Sequence, residues 1–196
     1  MKKRNSAGIA IALMLTASLA SGCGIVTVVP IGQEAQFTGA QTADVGQQAS
    51  DTWASVAEEI VGKAEELSSV AGNLETGKTY AVKFSGKVSE LNTDTPKGYL
   101  KVDVDGVDAE VRVLVGSVIP GTTVRDCQTV KAFQDFTNQT EWSEYGRTLN
   151  KNVLSDVIEA GGIGEGTVNK DVEVVGCFKT DSSGNIVVTP VSVTVK

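Results

Sequence analysis

The stretch Leu100-Lys-Val-Asp-Val-Asp-Gly-Val-Asp-Ala-Glu-Val-Arg-Val-Leu-Val115 alternates apolar and polar residues on both sides of Asp105-Gly106. Successive side chains of a strand point to opposite faces. Leu100, Val102 and Val104 therefore make one apolar row and Val107, Ala109, Val111, Val113 and Val115 a second, with Lys101, Asp103, Asp108, Glu110 and Arg112 turned to water. Asp-Gly tolerates the positive φ of a tight turn, so the stretch predicts two antiparallel strands joined by a two-residue hairpin. Upstream, Tyr80, Val82, Phe84 and Val88 keep the same period, and Thr93-Asp-Thr-Pro-Lys-Gly98 supplies the connection. Three consecutive strands follow.

Beyond Pro120-Gly121 the period changes. Trp142, Tyr145, Leu149, Val153, Leu154, Val157 and Ile158 recur at helical spacing, Asn138 with Glu141 three residues on resembles a capping box, and Gly161-Gly162 ends the run. Val172, Val174 and Val175, then Ile186, Val188, Val191, Val193 and Val195, predict two more strands across an Asp181-Ser-Ser-Gly184 turn. Upstream of all this, Trp53, Val56, Ala57, Ile60, Val61, Ala64, Leu67 and Val70 predict an amphipathic helix over 51–73, capped by Ser50 or Asp51. Three strands, a helix and two strands is the order of the OB-fold. The expected architecture is α+β: an OB-like five-stranded β-barrel over 79–196, with a helix between its third and fourth strands and one amphipathic helix in front. An open α+β sheet has the same periodicity.

The N-terminus supplies an address. Lys2, Lys3 and Arg4 precede an uncharged apolar run from Ala7 to Ala20, closer to the roughly 7–15 residues of a signal h-region than to the roughly 20 of a membrane span. Leu19-Ala-Ser-Gly-Cys23 matches a bacterial lipobox, with Ala where Leu is preferred. Residues 1–22 then form the signal peptide, and Cys23 becomes a lipidated N-terminus anchored on the extracytoplasmic face of the cell membrane, with 23–50 as a tether. Processing leaves 14 basic residues against 24 acidic ones, a charge of −10, which repels phosphate backbones and argues against nucleic-acid partners.

Composition narrows the chemistry. The chain has 196 residues and no His, so Ser-His and Cys-His nucleophile pairs and His-ligated metals are excluded, and no catalytic residue, metal or cofactor is expected. Gly161-Gly-Ile-Gly-Glu-Gly166 mimics a nucleotide loop but follows a helix rather than a strand, and reads as a linker. The densest polar cluster is Arg125, Asp126, Asp135, Asn138 and Gln139, with Phe133, Phe136 and Trp142 nearby. Two readings stay open: a site for a small polar ligand such as a sugar, or a set of helix caps with Arg125 in a structural ion pair.

The runs Gly116-Ser-Val-Ile-Pro-Gly-Thr-Thr-Val-Arg-Asp126 and Phe133-Gln-Asp-Phe-Thr-Asn-Gln-Thr-Glu141, with Leu149-Asn150 beyond them, resemble the predicted periplasmic lipoprotein family catalogued as domain of unknown function 2291. The resemblance extends to the Cys-x-Ile-Val start at Cys23 and to the helix bearing Trp53, and departs from the family pattern at Pro120 and Trp142. It implies an exported lipoprotein associated with sugar-type ABC transporters and supplies no catalytic residue. Cys127 and Cys177 remain after Cys23 is lipidated. They could form a disulfide closing a loop of roughly 50 residues, for about 4 kcal/mol, or stand as separate small apolar residues.

The sequence thus predicts a membrane-anchored, non-enzymatic binding or accessory module, with an ABC transporter or other envelope proteins as partners. The alternative is a structural or assembly lipoprotein working through protein–protein contacts.

Overall fold

A computed structural model describes residues 44–181 and 184–196. The signal segment, Cys23 and most of the expected tether lie outside the described residues.

Helix α1, Val45–Lys63, starts earlier than the sequence predicts because Asp44 accepts the Gln47 N–H at 3.0 Å and caps it. Val45, Ala49, Trp53, Val56 and Ile60 form its buried face. It also ends earlier than 73. Ala64 is extended, and the two-residue strand β1, Glu65–Glu66, joins the edge of the next strand in parallel, pairing with Val82 and Lys83. Leu67 and Val70 belong instead to a one-turn helix, α2, Leu67–Val70, followed by a 3₁₀ turn at Ala71–Asn73. Breaking the helix at Ala64 lets Leu67 turn into the barrel cluster, where it is fully buried.

Strands β2 (Thr79–Asn92), β3 (Tyr99–Asp103), β4 (Val111–Leu114), β5 (Asp171–Lys179) and β6 (Ile186–Val195) close on one another in the order β2-β3-β4-β6-β5-β2. All neighbours are antiparallel except β4 and β6. This is the five-stranded OB barrel. The Asp105-Gly106 turn is present, with Gly106 at φ 76 and the Val107 N–H donating to the Val104 carbonyl at 3.3 Å. The two-residue hairpin is not. β3 stops at Asp103 and β4 starts at Val111, where the Glu110 carbonyl accepts the Ile186 N–H of β6. Val107 and Ala109 pack on the barrel as loop residues instead of pairing.

Between β4 and β5 run a short helix α3 (Thr123–Cys127), a 3₁₀ turn at Phe133–Asp135 and helix α4 (Gln139–Asn152), which Val153–Glu159 continues as a π-helix. The apolar residues divide into two clusters. Val82, Val88, Leu100, Val113, Val172 and Ile186 fill the barrel. A second layer, including Val56, Ile60, Tyr145, Leu149 and Cys177, joins α1 and α4 to the barrel wall. Tyr145 is fully buried, and its hydroxyl lies 2.9 Å from that of Thr52, tying α4 to α1.

Closure depends on missing side chains. A Cβ on Gly86 would run into the Asp103 carbonyl and the Val102 side chain, and one on Gly176 into the Thr189 carbonyl. Gly86→Ala and Gly176→Ala should each destabilise by about 1–3 kcal/mol in urea unfolding, through forced backbone separation. Gly62→Ala, on α1 with nothing near its Cβ, should instead be neutral or stabilise by up to about 1 kcal/mol.

Candidate functional site

The cluster singled out in the sequence is built around α3. Arg125 Nε donates to Asp126 Oδ1 at 2.9 Å. Its Nη2 donates to the same oxygen at 2.6 Å and to Thr122 Oγ1 at 3.0 Å, and Nη1 reaches the Trp142 carbonyl at 3.3 Å. Thr122 in turn donates to Asp126 Oδ2 at 3.0 Å. The guanidinium lies 4.7 Å from the Trp142 ring centre, and only 12% of the Arg125 side chain is exposed. Most of its donors and its planar face are thus taken up by residues of the same corner.

The remaining members serve the local backbone. Asp135 Oδ2 accepts the Ala132 N–H at 2.8 Å, closing the 3₁₀ turn. Asn138 Oδ1 accepts the N–H groups of Thr140 and Glu141 at 2.9 and 3.0 Å, capping α4, while Glu141 Oε2 accepts from the Thr137 N–H, one residue short of the expected capping box. Gln139 is exposed at the first position of α4. The structure therefore joins Arg125 to Asp126 and gives Asp135 and Asn138 separate tasks.

Two residues outside that list hold the corner shut. Asn150, buried on α4, donates from Nδ2 to the carbonyls of Ile119 at 3.1 Å and Gly121 at 2.8 Å, pinning the loop that leads into α3. Gln128, also buried, donates to the carbonyls of Arg125 and Lys131 and accepts the Lys131 N–H, closing the loop behind α3. Gln128 carried no periodic signal, because its partners are backbone atoms of an irregular loop. From α1, Glu59 accepts from Thr129 N–H and Oγ1, and Lys63 links Glu59 at 2.6 Å to the Cys127 carbonyl at 2.5 Å. Burial opposes ionisation of Glu59, but Lys63 and Thr129 together outweigh it and hold its pKa below the ordinary 4.5.

Cys127 and Cys177 are free thiols, from α3 and β5, that pack into the same apolar layer. Among the described residues no group of three or more Cys, Asp or Glu is placed to hold a metal ion, and no helix is long and apolar enough to cross a membrane.

The segments gathered at this corner, from the Ile119 loop through Arg125-Asp126 to Asn138 and Asn150, fall within 73–194, the span that matches a family model of predicted periplasmic lipoproteins, domain of unknown function 2291. The chain belongs to this family. No curated protein matches it in sequence. Among solved structures, an OB-fold protein from Thermotoga maritima is similar over 78% of this chain and 98% of its own, with a TM-score of 0.59 at 14% identity, a likeness of fold alone.

In this periplasmic-lipoprotein family member, the face of β3 and β4 that OB-folds commonly use for ligands is internally paired. Lys101 and Arg112 both bridge to Glu110, at 3.1 and 2.5 Å, and Arg112 lies 4.5 Å over the Tyr99 ring. Among the described residues, a cleft of about 480 Å³ opens elsewhere on the wall, lined by Lys87, Asp103, Asp105, Asp171 and Lys196, away from the Arg125 cluster.

Arg125→Ala should cost about 2–3 kcal/mol of unfolding free energy, because it strands Asp126 and uncovers Trp142, and Asn150→Leu should cost a similar amount by taking the donor from the Ile119 and Gly121 carbonyls. Both are read by urea denaturation. Glu59 gives a pH signature. Its depressed folded-state pKa stabilises the fold above 4.5, and that contribution is lost as pH falls through the folded value. The stability gap between the wild type and Glu59→Gln, open at neutral pH, should therefore close well below 4.5.

Proposed function

We propose that the protein is a lipid-anchored, non-enzymatic accessory module on the extracytoplasmic face of a bacterial membrane, working through contacts with other envelope proteins. One observation carries this reading: the polar cluster of the family motif spends its hydrogen bonds inside the fold. Arg125 is bonded to Asp126, Thr122 and Trp142, Asn138 to the α4 backbone and Asp135 to its own turn. A sugar would have to displace these bonds, and a buried charge deprived of its partners is costly.

The anchor is Cys23 of the lipobox, and the acidic mature charge disfavours nucleic acid as a partner. The association with sugar-type ABC transport that the family resemblance implies makes permease and solute-binding subunits the first partners to test. Val118 and Phe133, which flank the corner and are 48% and 45% exposed, are apolar points at which such contacts can be made.

A photo-crosslinking residue placed at Phe133 in the membrane-bound protein should capture a transport or envelope subunit. Cys23→Ala should shift the protein from the membrane to the soluble fraction. A sugar that raises Tm in the wild type, but not in a folded Arg125→Lys variant, would overturn the reading in favour of a ligand site at the corner.

A further inference from the structure

Cys127 closes α3 and Cys177 lies in the middle of β5, on the side of the strand that faces the helices. Along β5, Val172, Val174 and Phe178 point into the barrel, while Val175 and Cys177 point into the layer beneath α1 and α4. That alternation presents Cys177 to α3, and Cys127 packs against the same layer. The two thiols thus belong to one packed layer. They differ in access, Cys127 being partly exposed and Cys177 fully buried.

Their surroundings also divide the labour. The neighbouring Cys177 side chain lowers the Cys127 thiol against the opposing effect of burial, and the Lys63 charge lowers it further. Cys127 and burial together push the Cys177 thiol up. Lys63 and Glu59 clamp the Cys127 and Thr129 backbone to α1, so the attacking sulfur is held in place. A partly exposed thiol packed into the same layer as a fully buried one is the arrangement of an attacking and a resolving cysteine.

We propose that Cys127 and Cys177 form a reversible redox pair, which a disulfide donor oxidises through Cys127 to staple the motif-bearing corner to strand β5. The Cys127 thiolate attacks one sulfur of the donor, forming a mixed disulfide and expelling the other half as a thiolate, which takes up the proton Cys127 released. Cys177 then loses its proton and attacks the Cys127 sulfur, releasing the second half of the donor as a thiol. Two protein thiols are oxidised, one donor disulfide is reduced to two thiols, and no other reactant is needed.

The bond would join the loop held by Asn150 and Gln128 covalently to the barrel wall. Asn150 already ties the loop ahead of α3 to α4 and Gln128 closes the loop behind it, so the staple adds to an ordered corner. This proposal rests on the dithiol alone and stands or falls apart from the reading given under Proposed function.

The test uses the full-length membrane-derived protein in detergent, equilibrated with mixtures of reduced and oxidised glutathione, alkylated, and digested with trypsin. Oxidation should yield residues 126–131 linked to residues 171–179, and full reduction should return both as separately alkylated peptides. The oxidised form should melt roughly 10 °C above the reduced one. Cys127→Ser should abolish both the linked peptide and the melting difference. Cys177→Ala, which keeps Cys127 but removes its resolving partner, should accumulate glutathione on Cys127. Thiols that stay separately alkylated at every glutathione ratio would overturn the proposal. So would wild-type protein that stops at glutathione on Cys127, or a Cys177→Ala variant that takes up none.

Discussion

The fold depends on one strand serving two sheets. β2 pairs with β5 from Thr79 to Lys87 and with β3 from Lys87 to Asn92, so Lys87 stands opposite both Asp171 and Asp103. A strand can do this only if it bends sharply, and at the bend its neighbour must come closer than a side chain allows. Gly86 meets that demand, because the Asp103 carbonyl and the Val102 side chain occupy the space a Cβ would need. Once β2 has turned, β5 and β3 are fixed on either side of it, and β6 closes the ring between β5 and β4. The register shift at Val88/Glu90 places the extra residue just past the bend, where added twist is required.

Closure leaves a wall that is apolar on both sides of β5, and that is why two helices are needed. The barrel interior takes Val172, Val174 and Phe178, while Val175 and Cys177 would face water if α1 and α4 were absent. α1 and α4 meet over this wall through Trp53, Val56 and Ile60 on one side and Tyr145 and Leu149 on the other. The connection from β4 to α4 must then pass over the corner in irregular backbone, whose carbonyls cannot be left unpaired. Asn150 and Gln128 answer that need, and the Arg125–Asp126 pair, stacked on Trp142, covers what they leave open.

Much of this was legible in the sequence, and the failures have physical causes. The five barrel strands show in Val82 and Phe84, in Leu100 and Val102, in Val113, in Val172 and in Val188 because each strand is buried in alternation, and the Asn138 cap shows because its bonds are local. The limits of α1 do not. Its first turn lies in a polar Gly-Gln segment where only Val45 and Ala49 face the core, and at its end Leu67 and Val70 keep helical spacing although the chain has left the helix. What breaks the helix is the free edge of β2, which captures Glu65 and Glu66, and a pairing that reaches from Glu65 to Val82 leaves no local mark. The β3–β4 connection departs from the predicted hairpin for a similar reason. Asp105-Gly106 does turn, but the start of β4 is set by Ile186 from β6, distant in sequence. Of the candidate site, the residue types were right and their uses were not visible, since a carboxylate or amide that caps a turn looks in sequence like one that waits for a ligand.

That ambiguity bears on how the family motif is to be understood. Polar residues gathered at one corner can be retained for binding or for satisfying an irregular chain. The two cases differ in whether the polar atoms have partners before any ligand arrives. Here Arg125 is charge-paired and stacked, Asn138 and Asp135 are bonded to backbone, and the ordinary ligand face of the barrel is closed by Lys101, Glu110, Arg112 and Tyr99 acting on one another. Removing a partner from such a network exposes the full desolvation cost of what remains, so each member constrains the others. A motif of this kind supports a rigid corner before it supports a pocket. On the function proposed above, Val118 and Phe133, exposed on the flanks of this corner, are the points at which another protein's surface would be held.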